Sequence, residues 1–202
     1  PLIDMDLLYW SRHFRNMPGQ GDLDVTGFTR AVLATGYSDV FSLEIFNDQF
    51  RGGSPASIAL DGKRSLSNLM DAVQRVDGPV AALAELLPQP AQVEGVAFVE
   101  FAVGEAESDD LVAILSTLGF GHAARHRAKD IDVWQQGEIR ILLNRDREGF
   151  AHSSYIVHGA GVCDIGLRLD NSTEALERAK ALGAKVFEQA PGPGELAIPA
   201  IR

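Results

Sequence analysis

The sequence has one cysteine, Cys163, among its 202 residues. A single cysteine excludes an internal disulfide and is typical of a chain in a reducing compartment, so we expect a cytoplasmic protein. Basic residues are also scarce, since 18 Lys and Arg stand against 28 Asp and Glu, for a net charge of -10. This balance argues against nucleic acid or an anionic membrane as a partner, because both attract excess positive charge. No apolar run is long enough and free enough of charge to span a bilayer.

What the sequence does contain is a short apolar stretch with a carboxylate in its middle. Val40–Phe46 is rich in β-branched and aromatic residues and is flanked by turn-prone residues, which predicts a β-strand. Side chains alternate along a strand, so Glu44 shares one face with Ser42 and Phe46. Both faces are largely apolar, as in a parallel strand covered on both sides. A carboxylate buried there needs a cation or a hydrogen-bond donor to offset its desolvation.

Two interpretations of Glu44 follow from the strand alone. The first is a structural ion pair with an arginine, because buried carboxylates are often neutralised in this way. The second is a ligand of a hard divalent metal ion, placed at the C-terminal end of a strand, where barrel enzymes build their active sites.

Arg15 is a second candidate functional residue, and it comes just before the turn sequence Met17–Gly21. The glycines of this turn allow the backbone to approach a ligand. An arginine fork suits a carboxylate, so Arg15 is a candidate for holding a small anionic substrate. The alternative is a solvated surface arginine.

The first half of the chain predicts helices around the Glu44 strand. Asp24 is placed to cap a helix over Val25–Thr35, and a further amphipathic helix is predicted over Ser65–Val76. A short apolar helix is predicted within residues 78–87. Prolines at positions 88 and 90 stop it and stiffen the connection, so we place a domain boundary near residue 90.

The second half predicts a different pattern, βαβββ. A strand over Val96–Val103 and a helix over Ser108–Leu118 are followed by three strands, at Gly121–Arg127, Ile131–Gln135 and Glu138–Asn144. Sliding the sequence by 64 positions places Val99–Gly104 over Cys163–Arg168, and a predicted helix follows each segment. The second copy continues through predicted strands at 185–189 and 195–201 and stops one strand short. Because the chain also starts without Met, we expect a piece of a longer polypeptide.

These segments resemble two known families. The runs S-L-E-I-F-N-D-Q-F-R (Ser42–Arg51), R-N-M-P-G-Q-G-D-L-D (Arg15–Asp24) and D-G-K-R-S-L (Asp61–Leu66) resemble the end of the barrel in bacterial 3-dehydroshikimate dehydratases. Those enzymes are sugar-phosphate isomerase/epimerase-like TIM barrels, and some are fused to a 4-hydroxyphenylpyruvate-dioxygenase-like domain. The run H-G-A-G-V-C-D-I-G-L (His158–Leu167) resembles the first half of such dioxygenases. Paired βαβββ units are typical of the vicinal-oxygen-chelate superfamily.

The resemblance implies an α/β part followed by an α+β part. Residues 1–90 would be the C-terminal portion of a TIM-barrel dehydratase domain. Residues 91–202 would be an incomplete vicinal-oxygen-chelate domain, similar to the dioxygenases. Metal-binding members of that superfamily place a histidine early in the first strand, where this sequence has Phe98, so we expect no metal in residues 95–202.

The resemblance also implies an activity, the metal-dependent dehydration of 3-dehydroshikimate to protocatechuate in quinate and shikimate catabolism. Glu44 would be one of four ligands of a divalent cation, such as Mg, Mn or Co, and Arg15 and Ser11 would contact the substrate. The other ligands and the acid/base histidine are expected upstream of Pro1, so this chain is not expected to be active alone.

Other functions remain open at this point. A sugar isomerase or epimerase of the same barrel superfamily would share Glu44 and its metal. The second half is compatible with a 4-hydroxyphenylpyruvate-dioxygenase-like oxygenase, or with an oligomerisation module that forms a homo-oligomer.

Overall fold

The computed structural model describes residues 5–78, 86–188, 191–192, 195 and 197–202. They form two compact units, which we call the helical unit (residues 1–90 and 172–202) and the sheet unit (residues 91–171). The predicted division into domains 1–90 and 91–202 stays a prediction. Contacts between Cα atoms group residues 172–202 with residues 1–90 in the helical unit. Most of the apolar helix predicted within 78–87 lies outside the described residues.

Fourteen elements make up the described part of the chain. In chain order they are α1 (Leu7–His13), α2 (Val25–Ala34), α3 (Asp48–Arg51), α4 (Pro55–Asp77), β1 (Val93–Ala102), α5 (Glu105–Thr117), β2 (Gly121–Arg125), β3 (Ile131–Gln136), β4 (Ile139–Asn144), α6 (Gly149–His158), β5 (Gly161–Leu169), α7 (Ser172–Ala181), β6 (Val186–Phe187) and β7 (Ala200–Ile201). No helix among the described residues is long and apolar enough to cross a membrane.

Helix starts in the helical unit follow local capping chemistry. The Asp24 carboxylate accepts a hydrogen bond from the Gly27 N–H (2.7 Å), which confirms the predicted start of α2. The α4 helix begins at Pro55, so the prediction that this helix starts at Ser65 was wrong. Proline is favoured in the first turn, where its missing N–H has no helical partner, and the Ser54 side chain caps this helix.

The strand predicted over Val40–Phe46 does not form within the described part of the chain. These residues have no assigned helix or strand, and their alternating exposure indicates an extended backbone; the next residue, Asn47, makes a bridge antiparallel to Phe14. A strand needs a neighbouring backbone to complete its ladder, and among the described residues the segment receives a backbone hydrogen bond at Phe46, from Arg15, but forms no ladder over residues 40–46. The segment nevertheless alternates as predicted, with Glu44 exposed and Leu43 half-buried.

The sheet unit confirms the predicted βαβββ pattern in β1, α5, β2, β3 and β4. Its five strands run in the order β2-β3-β4-β1-β5, with β1 and β4 parallel and all other pairs antiparallel. The α5 helix packs on one face of this sheet, and the core there contains Val103, Leu115 and Leu143.

Among the described residues, helix α6 is one of three helices that the sequence did not indicate, with α1 and α3. The residues around His152 are rich in Gly and Ser, which favours a loop, and His158 precedes Gly159, which favours a turn. Both belong to α6, in which His158 is the last residue. Ala151 is buried and Tyr155, one helical turn later, is half-buried, so the two lie on the face of α6 that packs against the protein. This burial outweighs the poor local helix propensity.

The predicted second repeat is present in outline. It comprises β5, α7, β6 and β7, and the last two strands pair with each other in a small antiparallel sheet. Both strands are shorter than predicted, since β6 has two residues and β7 has two. Cys163 lies in β5, as predicted, and is half-buried. Burial and the nearby Glu100 raise the pKa of its thiol to about 12, so it stays protonated and unreactive.

A buried ion-pair network at Asp71 anchors α4 within the helical unit. The Asp71 side chain is 3% exposed. Arg75 donates two hydrogen bonds to this carboxylate, from Nε (2.9 Å) and Nη2 (3.0 Å). Arg178 of α7 donates a third from Nη1 (2.9 Å), and the Leu87 N–H donates a fourth (3.1 Å). Burial alone raises the pKa of Asp71, but the arginine hydrogen bonds outweigh it, so the pKa lies below its ordinary value of 3.8.

The sheet unit contains a carboxyl group whose pKa is shifted in the opposite direction, that of Glu100 in β1. Burial, reinforced by the nearby Asp164, raises its pKa above the ordinary 4.5, although Asn144 Nδ2 donates to Glu100 Oε1 at 2.7 Å. No arginine contacts Glu100 among the described residues. The folded state therefore favours the protonated form of Glu100, whereas it favours the ionised form of Asp71.

We predict that Asp71→Ala lowers the free energy of unfolding by about 3 kcal/mol, because it leaves two part-buried arginines without their shared carboxylate. The measurement is urea unfolding at neutral pH. Asp77→Ala, which breaks the exposed pair with Arg30, is the matched control and should change the midpoint little. Since the pKa of Asp71 is lowered, the difference between wild type and Asp71→Ala should shrink as the pH falls below about 4. Equal effects of the two variants would contradict the account.

We predict that Glu100→Gln stabilises the protein at pH 7. A raised pKa means that the folded state binds more protons, so stability falls as the pH rises above the ordinary 4.5. Glutamine cannot ionise, yet its side-chain oxygen still accepts from Asn144. Unfolding midpoints measured from pH 4.5 to 8 should therefore decline less for Glu100→Gln than for wild type. Parallel curves would show that Glu100 ionises without penalty in the folded protein.

Candidate functional site

The candidate site lies where the chain after α1 meets the end of the extended 40–46 segment. The Arg15 N–H donates to the Phe46 carbonyl (3.0 Å), and Asn47 Nδ2 donates to the Arg15 carbonyl (2.9 Å). Asn47 also caps α3, through a hydrogen bond from the Gln49 N–H to its side-chain oxygen. These contacts bring Arg15 next to the segment that carries Glu44, although the two residues are far apart in sequence.

The Arg15 side chain is held from two sides. Its guanidinium lies over the ring of Phe46, with 4.9 Å from Cζ to the ring centroid, and its Nε donates to the carbonyl of Ser11. The two terminal nitrogens make no hydrogen bond with any described residue. Arg15 therefore presents a fixed planar fork with two free donor groups, the geometry that binds a carboxylate through parallel hydrogen bonds.

Ser11 contributes its backbone to this arrangement. Its hydroxyl donates to the Leu8 carbonyl within the same stretch of chain (2.9 Å), while its own carbonyl holds Arg15. The structure thus brings Ser11 and Arg15 together. A contact between the Ser11 hydroxyl and a substrate stays a prediction.

Glu44 lies on the same face of the extended segment as Phe46, two residues away. With a rise of about 3.3 Å per residue in an extended chain, the backbones of Glu44 and Phe46 lie roughly 7 Å apart. Glu44 is exposed and makes no ion pair or hydrogen bond within the described ranges. The expected desolvation was therefore wrong for these residues, because no neighbouring strand covers this face. The expected arginine partner is not found among them either.

The residues present do not by themselves fit a divalent metal ion. Mg²⁺ and similar ions take six or more oxygen ligands, several of which are usually protein carboxylates or waters. Within the described residues, no group of three or more His, Cys, Asp or Glu side chains could hold a metal ion. Glu44 stays a single predicted ligand.

A large apolar cavity lies between the segment that carries Glu44 and α4. It has a volume of about 1110 Å³, and Leu66 and Met70 of α4 line it. Leu43, Ile45 and Phe46 line it from the segment, whereas Ser11, Arg15 and Glu44 do not. The charged candidate residues thus lie outside the cavity, and Phe46 contacts both the cavity and the Arg15 guanidinium.

Sequence reasoning missed one pair at the site, His13 and Asp48. His13 Nδ1 lies 2.8 Å from Asp48 Oδ2, although 35 positions separate the two residues. Asp48 is the first residue of the short helix α3. His13 is the last residue of α1, so no local pattern in the sequence indicates its contact with Asp48.

Comparison with known proteins supports both halves of the resemblance. The family model described as "Hydroxyphenylpyruvate dioxygenase, HPPD, N-terminal" matches residues 87–202. Over its whole length the chain is 41% identical to a 3-dehydroshikimate dehydratase from Pseudomonas putida and 42% identical to one from Pseudomonas aeruginosa, and it covers 33% of each. A 4-hydroxyphenylpyruvate dioxygenase from a Pseudomonas species is 34% identical over 59% of the chain and 33% of that relative.

A solved structure matches the whole chain. It is described as a xylose isomerase-like TIM barrel/4-hydroxyphenylpyruvate dioxygenase fusion protein, with 40% identity and a TM-score of 0.83, and the chain covers 33% of it. This match confirms the predicted fold class, part of a TIM barrel followed by a vicinal-oxygen-chelate-like domain. The chain spans about a third of the length of the curated relatives that it matches. Since the family model covers more than half of the chain, the chain belongs to the hydroxyphenylpyruvate dioxygenase, HPPD, N-terminal family.

Proposed function

We propose that the protein containing this chain is a 3-dehydroshikimate dehydratase, a carbon–oxygen lyase that releases water and forms protocatechuate. One observation carries the proposal beyond overall similarity. The Arg15 guanidinium, with its free donor groups, stacks on Phe46, which lies two residues from the exposed carboxylate of Glu44. A small anionic substrate meets its carboxylate-binding group and a candidate metal ligand in this region.

Arg15 would bind the carboxylate of 3-dehydroshikimate. The hydrogen bond to Ser11 and the stacking on Phe46 hold the guanidinium in one plane, so its terminal nitrogens are oriented before the substrate arrives. Glu44 would be one ligand of the divalent cation, Mg, Mn or Co, that the resemblance implies. The other ligands and the acid/base residue would come from parts of the full-length protein outside this chain.

The second candidate function is a sugar isomerase or epimerase of the same barrel superfamily. The similarity to a protein described as xylose isomerase-like favours it, and Glu44 would serve both reactions. Arg15 separates the two, because a neutral sugar offers no carboxylate for the guanidinium fork. To distinguish the two functions, one enzyme preparation is assayed both for protocatechuate formation, by its absorbance, and for ketose–aldose exchange. Oligomerisation through the dioxygenase-like part, an oxygenase activity there and a cytoplasmic location stay predictions.

We predict that Glu44→Gln lowers dehydration of 3-dehydroshikimate by the full-length protein by about a thousandfold, as expected for loss of a metal ligand. The fold should not change, because Glu44 is exposed and makes no hydrogen bond or ion pair with the described residues. Protocatechuate formation, bound metal and circular dichroism are measured together.

Glu188→Gln is the matched control for this test. Glu188 is also an exposed glutamate of the helical unit, and it lies away from the candidate site, just after β6. It should keep wild-type activity. Full activity of Glu44→Gln with unchanged metal content would remove Glu44 from the proposed site.

A further inference from the structure

The Phe14–Asn47 bridge aligns two short segments, residues 13–15 and 46–48, antiparallel to each other. Opposite residues of an antiparallel pair project to the same side. This register places Arg15 opposite Phe46 and His13 opposite Asp48. Both contacts are present, the guanidinium over the ring and the 2.8 Å hydrogen bond from His13 Nδ1 to Asp48 Oδ2.

The His13–Asp48 pair has further support on both sides. The Tyr9 ring packs against the imidazole, with 4.5 Å between ring centroids, and Arg51 Nε lies 3.7 Å from the other oxygen of Asp48. An ionised carboxylate only accepts hydrogen bonds, so the His13 proton is on Nδ1. The pair remains partly open to solvent, with 31% of the His13 and 44% of the Asp48 side chain exposed.

We propose that His13 and Asp48 are positioning residues that fix Arg15 for binding of the substrate carboxylate. The pair ties the end of α1 to the start of α3, on either side of the bridge. Arg15 follows His13 by two residues and Glu44 precedes Asp48 by four, so the pair sets the separation of the two candidate site residues. The inference rests on the proposed function.

The pair acts on geometry rather than on folding. Partly exposed ion pairs contribute little to stability, so its removal leaves the protein folded. Binding of a carboxylate by a two-pronged fork is sensitive to small displacements, and a shift of about 1 Å can cost a hundredfold in rate. The loss is expected in substrate binding, because Arg15 contacts a part of the substrate that does not react.

The test uses the full-length protein with Asp48→Ala, His13→Ala and His13→Asn. Asparagine places an N–H close to the position of Nδ1 and keeps the hydrogen bond to Asp48. Steady-state kinetics with 3-dehydroshikimate give kcat and KM. Calorimetric titration with protocatechuate, a carboxylate that does not turn over, gives a Kd that does not depend on catalysis. Asp77→Ala removes a comparably exposed pair of the helical unit, Arg30–Asp77, and is the matched control.

We expect Asp48→Ala and His13→Ala to raise KM and the protocatechuate Kd about tenfold with kcat nearly unchanged, the signature of lost uniform binding. His13→Asn and Asp77→Ala should stay close to wild type. Unchanged KM and Kd in Asp48→Ala would overturn the proposal. A parallel fall of kcat and of the unfolding midpoint would also overturn it, since that indicates a structural role.

The two proposals fail in different ways. A wild-type protein that binds protocatechuate but does not dehydrate 3-dehydroshikimate contradicts the proposed function, while the Kd values of the variants still decide the role of the pair. A wild-type protein that binds no protocatechuate contradicts both.

Discussion

The candidate site depends on one constraint, the packing of a single face of the extended 40–46 segment against α4. Leu43 lies against Gly62 of α4, where a Cβ would come within 2.9 Å of Leu43 Cδ2. Because successive side chains of an extended chain point to opposite sides, this contact directs Glu44 away from the helix. A shift of one residue would exchange the two faces and place the carboxylate in the apolar cavity. The stacking of Arg15 on Phe46 then brings a cationic fork to the side where Glu44 is exposed.

Two buried carboxyl groups, one in each unit, have pKa values shifted in opposite directions. Asp71 receives two arginines and a backbone N–H, so it is ionised in the folded helical unit and ties α4 to α7 and to the chain at Leu87. Among the described residues, Glu100 receives hydrogen bonds from an amide and a thiol, and burial raises its pKa. The first arrangement fixes the helix that supports the candidate site. The second leaves a carboxyl group within a sheet that carries none of the predicted site residues.

The sequence predicted what depends on local chemistry. The cap at Asp24, the βαβββ order of the sheet unit and the alternation of residues 40–46 all follow from neighbouring residues. The pairing of residues 40–46 and the burial of Glu44 depend on other strands, and the prediction failed there for the described residues. Helix α6 was hidden by its Gly- and Ser-rich composition. The His13–Asp48 contact joins residues 35 positions apart, so no local pattern indicates it.

The central claim is that Glu44 and Arg15 face one binding site, with Glu44 as a ligand of a divalent ion. The most direct measurement is anomalous diffraction from crystals of the full-length protein grown with Mn²⁺ and soaked in protocatechuate. The account predicts an anomalous peak between about 2.0 and 2.6 Å from a Glu44 carboxylate oxygen and the ligand carboxylate on the Arg15 terminal nitrogens. Mn²⁺ bound elsewhere, with Glu44 paired to an arginine instead, would contradict it.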